Sequence, residues 1–286
     1  METARRTPAL SVFDAPEGAR IPLVFDSPHS GTDYPADFRP ALPMAALRKA
    51  EDMYVDDFYA AAPEHGAALL LARFPRVYLD ANRSVEDMDQ GLLDAPWPGP
   101  LAPGVKTECG LGLIWRLSSD AEPIYDRRLS VEEAQARIDR CHAPYHAALK
   151  SLLDARHAEF GRVYHVDCHS MPELSGPRAP EGEGVPRADF VLGDRDGATC
   201  APEFTRAVAE CLAGMGYEVA VNDPYKGVEL VRAYSDPAAG RHSLQVEINR
   251  RLYMNETTFE KTAGYAATKA AVGRLMATVA AFARSA

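Results

Sequence analysis

An α/β fold with a mixed, mostly parallel central sheet flanked by helices is predicted by two observations on this 286-residue chain. Short apolar or β-branched runs alternate with longer segments of helical period, the pattern of a layered sheet with crossover helices. Hydrophobic residues make up 47% of the sequence, enough to fill a sizeable core. Strands are predicted at "IPLVFD" (21–26), "ALLLAR" (68–73), "RVYLD" (76–80), "VYHVD" (163–167), "ADFVLG" (188–193), "EVAVN" (218–222) and "SLQVEI" (243–248). Between them, Val55, Phe58, Tyr59 and Ala62 keep one helical face over 53–63. A long helix opens with the capping box Ser130 to Glu133 and closes at Gly161, with a kink predicted at Pro144. Residues 201–215 and the alanine-rich stretch 257–284 read as two more helices, the last packed across the sheet. Residues 84–128 and 171–187 break the alternation with Pro and Gly, and are read as insertions over one rim of a single domain spanning 1–286.

Composition narrows the function classes. A net charge of −10 and a pI near 5.3 argue against nucleic acid or an anionic membrane as partner, because both need a basic face. An anionic small ligand then requires arginines gathered locally. No apolar run reaches the length of a membrane span and the first residues lack a signal-peptide core, so a cytoplasmic location is expected. Five cysteines without CxxC spacing suggest neither a disulfide framework nor a cysteine zinc site. A homo-oligomer is compatible with all of this.

Chemistry is carried by polar residues at strand ends: His29 in "VFDSPHSG", Asp80, Asn82 and Arg83 in "YLDANR", Asp167 and His169 in "HVDCHSMP", and Glu247 in "LQVEINR". In open parallel sheets the ligand crevice lies beyond the carboxyl ends of the strands, where distant segments meet. Two imidazoles and a carboxylate, with a fourth position open, form the usual shell of a hydrolytic zinc site. His29 and His169 supply the imidazoles and the pair Glu51–Asp52 can supply the carboxylate. Glu247, in an otherwise apolar strand, fits a general base facing a polar cleft. Arg83, Arg232 and, from the first insertion, Arg116 are candidates for holding an acidic substrate.

Other arrangements are weaker. His142 and His146 have helical metal-pair spacing, but the glutamate of an HExxH motif is missing and Pro144 intervenes, so a structural role beside the site is expected for His146. There is no GxSxG elbow and no Walker A loop, and "GLGLIW" lacks the third glycine of a dinucleotide fingerprint. Cys168 and His169 are strand neighbours and point to opposite faces.

Seven segments between about residues 21 and 256, "SPHSGTDYP", "EDMYVDD", "YLDANR", "HVDCHSMP", "VLGDRDGATC", "NDPYKG" and "RAYSDPAAGRHSLQVEINRRLYMNE", together resemble the N-formylglutamate amidohydrolase family. The resemblance implies a zinc carboxypeptidase-like architecture and one Zn2+ per chain, held by His29, Asp52 and His169. It implies Glu247 as general base and acid, and Asn82 with Arg83 as the grip on the substrate carboxylate. The activity implied is hydrolysis of N-formyl-L-glutamate to formate and L-glutamate, in histidine degradation. The HxxE spacing of carboxypeptidases is absent, since Thr32 stands three after His29, which leaves Glu51 and Asp33 as alternatives to Asp52. Competing readings are a deacylase or carboxypeptidase acting on another N-acyl amino acid or peptide, and a non-catalytic ligand-binding protein that keeps the fold.

Overall fold

Alternation along the two longest strands sets the architecture. In Val163–Met171, residues Tyr164, Val166 and Cys168 enter one apolar core, while His165, Asp167 and His169 face the other side. Arg241–Asn249 repeats the division, with Leu244, Val246 and Ile248 against Ser243, Gln245 and Glu247. In the computed structural model, which describes residues 5–285 except Arg178 and Pro180, the two strands pair in parallel.

The strands are β1 (Arg5–Arg6), β2 (Leu10–Phe13), β3 (Leu23–Ser27), β4 (Ala68–Ala72), β5 (Val163–Met171), β6 (Phe190–Gly193), β7 (Val219–Val221) and β8 (Arg241–Asn249). They form one sheet in the order β1-β2-β4-β3-β5-β8-β6-β7. Its centre, β4-β3-β5-β8, is parallel, and antiparallel pairings join β2 to β4 and β6 to β8. The mixed, mostly parallel sheet flanked by helices is thus as the sequence predicts. One face packs under the helices Pro202–Ala213 and Tyr265–Ser285, through Phe204, Val208, Leu275 and Val279. The opposite face carries the helix Ala143–Phe160, together with much of 74–129, including Trp97, Ile114, Trp115 and Tyr125.

Several elements differ from expectation. "RVYLD" (76–80) is a turn, not a strand: the amides of Tyr78 and Leu79 bond back to the carbonyl of Pro75, and the Asp80 amide bonds to the Leu113 carbonyl. The hydrophobic run is real, but these side chains pack from a curled backbone beyond β4. The last helix starts at Tyr265 instead of 257, because the Asn255 side chain caps the amides of Thr257 and Thr258 and turns the chain first. The segment 53–63 splits into Val55–Phe58 and the 3-10 turn Ala62–His65, yet its four apolar residues stay in one core. The capping box at Ser130 forms and Gly161 closes the long helix at φ 73°. At the expected kink the chain makes a π-turn, Ile138–His142, which absorbs the missing amide donor of Pro144. The strands β1 and β2 and the short helix Glu229–Tyr234 lie outside the predicted set.

Candidate metal centre and substrate cavity

Where β3, β5 and β8 end, the sheet places its polar face at a cavity of about 220 Å³. His29 enters it from the loop after β3 and His169 from the last turn of β5; Glu247 sits beside His169 in the β5–β8 register. Asp52 arrives on the loop before Val55–Phe58, fixed by its own amide to the His29 carbonyl (3.0 Å) and by Ser30 Oγ to its carbonyl (2.9 Å).

Three ligand atoms converge. His29 Nδ1 and His169 Nδ1 are 3.0 Å apart, and Asp52 Oδ2 lies 3.1 Å from His169 Nδ1 and 3.4 Å from His29 Nδ1. Bonds of 2.0–2.1 Å to a tetrahedral ion imply ligand separations of about 3.3–3.4 Å, so this triangle needs only a slight expansion. The far nitrogens face carboxylates: His29 Nε2 is 2.6 Å from Asp80 Oδ1 and His169 Nε2 is 2.7 Å from Asp167 Oδ1. With the ring protons on these far nitrogens, both Nδ1 atoms are free to ligate an ion. Imidazoles backed by carboxylates are the usual surroundings of metal-ligating histidines. All three ligands are buried.

Charge leads to the same place. Asp52, Asp80 and Asp167 all have pKa values held below the usual carboxylate range: burial opposes this, but His169, Arg76 and the imidazoles outweigh it. With Glu247 ionised, the carboxylates of Asp52, Asp80, Asp167 and Glu247 outnumber the buried guanidiniums of Arg76, Arg83 and Arg250, which leaves the centre net negative and suited to a cation. Burial opposes charge on His169, yet Asp167 and Asp52 raise its pKa well above the ordinary histidine value. The site therefore calls for positive charge at this nitrogen pair.

The surrounding network is dense. Asp80 also accepts from Arg76 Nη2 (2.9 Å), Trp115 Nε1 (3.2 Å) and the Asn82 amide (2.9 Å). Arg250 donates to Asp52 Oδ1 (3.1 Å), Ser170 Oγ (3.1 Å) and the carbonyls of Lys49 and Glu51, locking the Asp52 loop. Asn82 Oδ1 accepts the Leu230 amide at 2.9 Å, so its Nδ2 faces Asp167 Oδ2 at 3.1 Å. Glu247, 7% exposed, accepts from Gln245 Nε2 at 2.8 Å through Oε1. Burial raises its pKa, which suits a group that both takes and returns a proton.

Two histidines outside the centre hold the loop that carries Asn82 and Arg83. His142 and His146 stack at 3.9 Å, and their Nε2 atoms reach the carbonyls of Arg83 (2.9 Å) and Ala81 (2.8 Å), bracketing Asn82. This is the structural role expected of His146. Beneath the centre, His165 joins Ser243 Oγ (2.7 Å) to Asp26 (2.9 Å), and Tyr145 donates to Asp26 at 2.7 Å. The Ser–His–Asp arrangement has no exposed atom to offer a substrate and serves as a polar footing for β3, β5 and β8.

Of the residues singled out in the sequence, the structure brings His29, Asp52, His169, Glu247, Asn82 and Arg83 together at the cavity. Arg116 is instead paired with Asp89 at 2.7 Å, and Arg232, about half exposed, with Glu229 at 2.6 Å; neither lines the cavity. Glu51 is held by Tyr34 and Arg48, and Asp33 pairs with Arg73 at the surface, so Asp52 is the carboxylate that meets the imidazoles. The cavity wall also contains Arg76, Lys106, Arg187, Tyr225 and Arg250, which sequence reasoning missed. Only Arg76, four before Asp80, and Arg250, three after Glu247, had a positional signal.

A sequence model of the N-formylglutamate amidohydrolase family matches residues 21–254. The chain belongs to the N-formylglutamate amidohydrolase family. Within it, the chain is 30% identical to the N-formylglutamate deformylase of Pseudomonas putida over 246 residues, covering 83% of this chain and 84% of that one. Identity to the Pseudomonas aeruginosa deformylase is also 30%, over 93% and 95% of the two chains. The crystal structure of N-formylglutamate amidohydrolase from Ralstonia eutropha JMP134 superposes with a TM-score of 0.92 at 47% identity, covering 97% of this chain and 99% of that one. Among the described residues, no helix is long and apolar enough to cross a membrane, and none of the five cysteines forms a disulfide.

Proposed function

We propose that this member of the family hydrolyses N-formyl-L-glutamate to formate and L-glutamate, using a divalent ion, zinc by its donor set, held by His29, Asp52 and His169. The observation that carries the reading is the convergence of the two Nδ1 atoms, 3.0 Å apart, on the Asp52 carboxylate, with Glu247 in the same cavity. A bound ion would supply Lewis-acid polarisation of a carbonyl and a lowered water pKa.

The chain's own groups supply the rest. Arg83 holds a substrate carboxylate, and the cavity walls orient the formamide against the histidine pair. Glu247 takes a proton from the attacking water as its oxygen bonds to the formyl carbon. The same proton then goes to the glutamate nitrogen as the C–N bond breaks. Gln245 holds Oε1 of Glu247, which leaves Oε2 for this transfer. The reaction belongs to histidine degradation in the cytoplasm.

Formate release from N-formyl-L-glutamate by zinc-loaded protein tests the reading. Glu247→Gln keeps the shape and the Gln245 contact; kcat is expected to fall by about 10²–10⁴-fold with KM little changed. No formate from the wild-type protein, alongside turnover of longer N-acyl amino acids or peptides, would transfer the assignment to another deacylase or a carboxypeptidase.

A further inference from the structure

Six basic side chains line the cavity: Lys49, Arg76, Arg83, Lys106, Arg187 and Arg250. Four of them are answered by protein carboxylates: Lys49 by Asp120 (2.6 Å), Arg76 by Asp80 (2.9 Å), Arg187 by Glu181 (2.8 Å) and Arg250 by Asp52 (3.1 Å). Arg83 and Lys106 form no ion pair among the described residues. Arg83 is almost fully buried and gives its hydrogen bonds to the carbonyls of Leu111 (3.1 Å) and Asn82 (2.8 Å). The carboxylate charges that act on it, Asp80 first, lie beyond ion-pair distance.

Lys106 stands on the short helix Val105–Glu108, a rigid part of the wall. Thr107 Oγ1 donates to Asp87 Oδ1 at 3.2 Å, the Gly104 amide donates to the same oxygen at 3.1 Å, and Asp87 itself is tied into a capping box with Ser84. Desolvation at the wall, then the Arg83 and Arg76 guanidiniums, lower the pKa of the Lys106 ammonium. Lys106, itself exposed, lines the same cavity as Arg83 and Arg76, where an anion would relieve their mutual repulsion.

Two cavity cations without an ion-pair partner among the described residues match a substrate with two carboxylates. Arg83 follows directly on Asn82, whose Nδ2 is 3.1 Å from His169 Nε2, so Arg83 is the cation tied to the reacting centre. The α-carboxylate is one carbon removed from the scissile nitrogen and goes to Arg83. The carboxylate at the end of the side chain extends further along the wall. Building on the function proposed above, we infer that Lys106 receives the side-chain carboxylate of the substrate and so sets the preference for acidic over neutral N-formyl amino acids.

The test compares N-formyl-L-glutamate with its neutral isostere N-formyl-L-glutamine on zinc-loaded wild type, Lys106→Met and Lys106→Arg. For Lys106→Met, kcat/KM on the glutamate substrate is expected to fall by about 10–100-fold and on the glutamine substrate by less than about threefold. Lys106→Arg, which keeps the charge, is expected to retain most of the preference, and bound zinc is expected to be equal in all three proteins. A parallel fall on both substrates, or an unchanged preference in Lys106→Met, overturns the inference while leaving the proposed reaction in place. A wild-type protein that releases formate from neither substrate removes the reaction itself, and the inference with it.

Discussion

The carboxylate behind each ligand histidine should govern metal affinity, and Asp167 is the place to measure it. Asp167 Oδ1 lies at ion-pair distance from His169 Nε2, 2.7 Å, and Oδ2 accepts Asn82 Nδ2–H at 3.1 Å, with no solvent contact. Asp167→Asn keeps the shape, removes the charge and turns an amide N–H toward one of two donors. His169 then favours its proton on Nδ1, where the metal would bind. Loss of such a backing carboxylate weakens metal binding by about 10–100-fold, or about 1.4–2.7 kcal/mol. Linkage gives a second readout. At a free zinc concentration of 100 times the wild-type Kd, metal adds about 2.7 kcal/mol to folding stability, but only about 0.4 kcal/mol to a variant that binds a hundredfold more weakly. Competition with a chromophoric chelator measures the first quantity, and urea unfolding with and without zinc the second. Zinc affinity within twofold of wild type in Asp167→Asn would refute the claim that His169 is a metal ligand held by that carboxylate.

Two further outcomes follow from the geometry. Among the three acidic candidates, Asp52→Asn should abolish stoichiometric zinc binding, whereas Glu51→Gln and Asp33→Asn should retain it; metal content after dialysis decides between them. His146 is half-buried and neutral, its pKa pushed down to about 3 by desolvation and then by the stacked His142. The unfolded chain therefore takes up this proton first, near pH 6.5, and the native state loses stability as pH falls below that value. Between pH 7.5 and 5.5, urea midpoints should show His146→Gln losing less stability than wild type, by about 1 kcal/mol. An equal loss in both proteins would show that His146 titrates normally.

Much of the centre is legible in the sequence because strand ends announce themselves. His29, His169 and Glu247 each interrupt or follow an apolar run at a point where the chain must leave the sheet, and a buried polar residue there needs a partner. What the sequence conceals is pairing across space. Arg116 and Arg232 looked equivalent to Arg83, but each has a carboxylate three residues away or across the same segment, Glu229 for Arg232 and Asp89 for Arg116. Lys106 lies in a stretch of Pro and Gly with no period to place it, and its position comes from the Asp87 clamp and the backbone bonds of its own turn. "RVYLD" misled because composition records hydrophobicity, whereas the turn at Pro75 is set by backbone bonds. The last helix was drawn too early because Asn255 caps a turn that helical periodicity cannot detect.

The stacked pair His142 and His146 has one more consequence. The three proposed metal ligands hang from sheet ends and the loop beside them, whereas the loop bearing Asn82 and Arg83 is fastened by those imidazoles to the long helix and the π-turn before it. The proposed cation site and the proposed amino-acid grip thus hang from different elements and are joined by the Asn82 hydrogen bonds to Asp80 and Asp167. Substitutions at Leu149 or Leu153, buried in the helix packing and remote in sequence from any proposed ligand, would therefore reach the grip first and the imidazoles only through that joint.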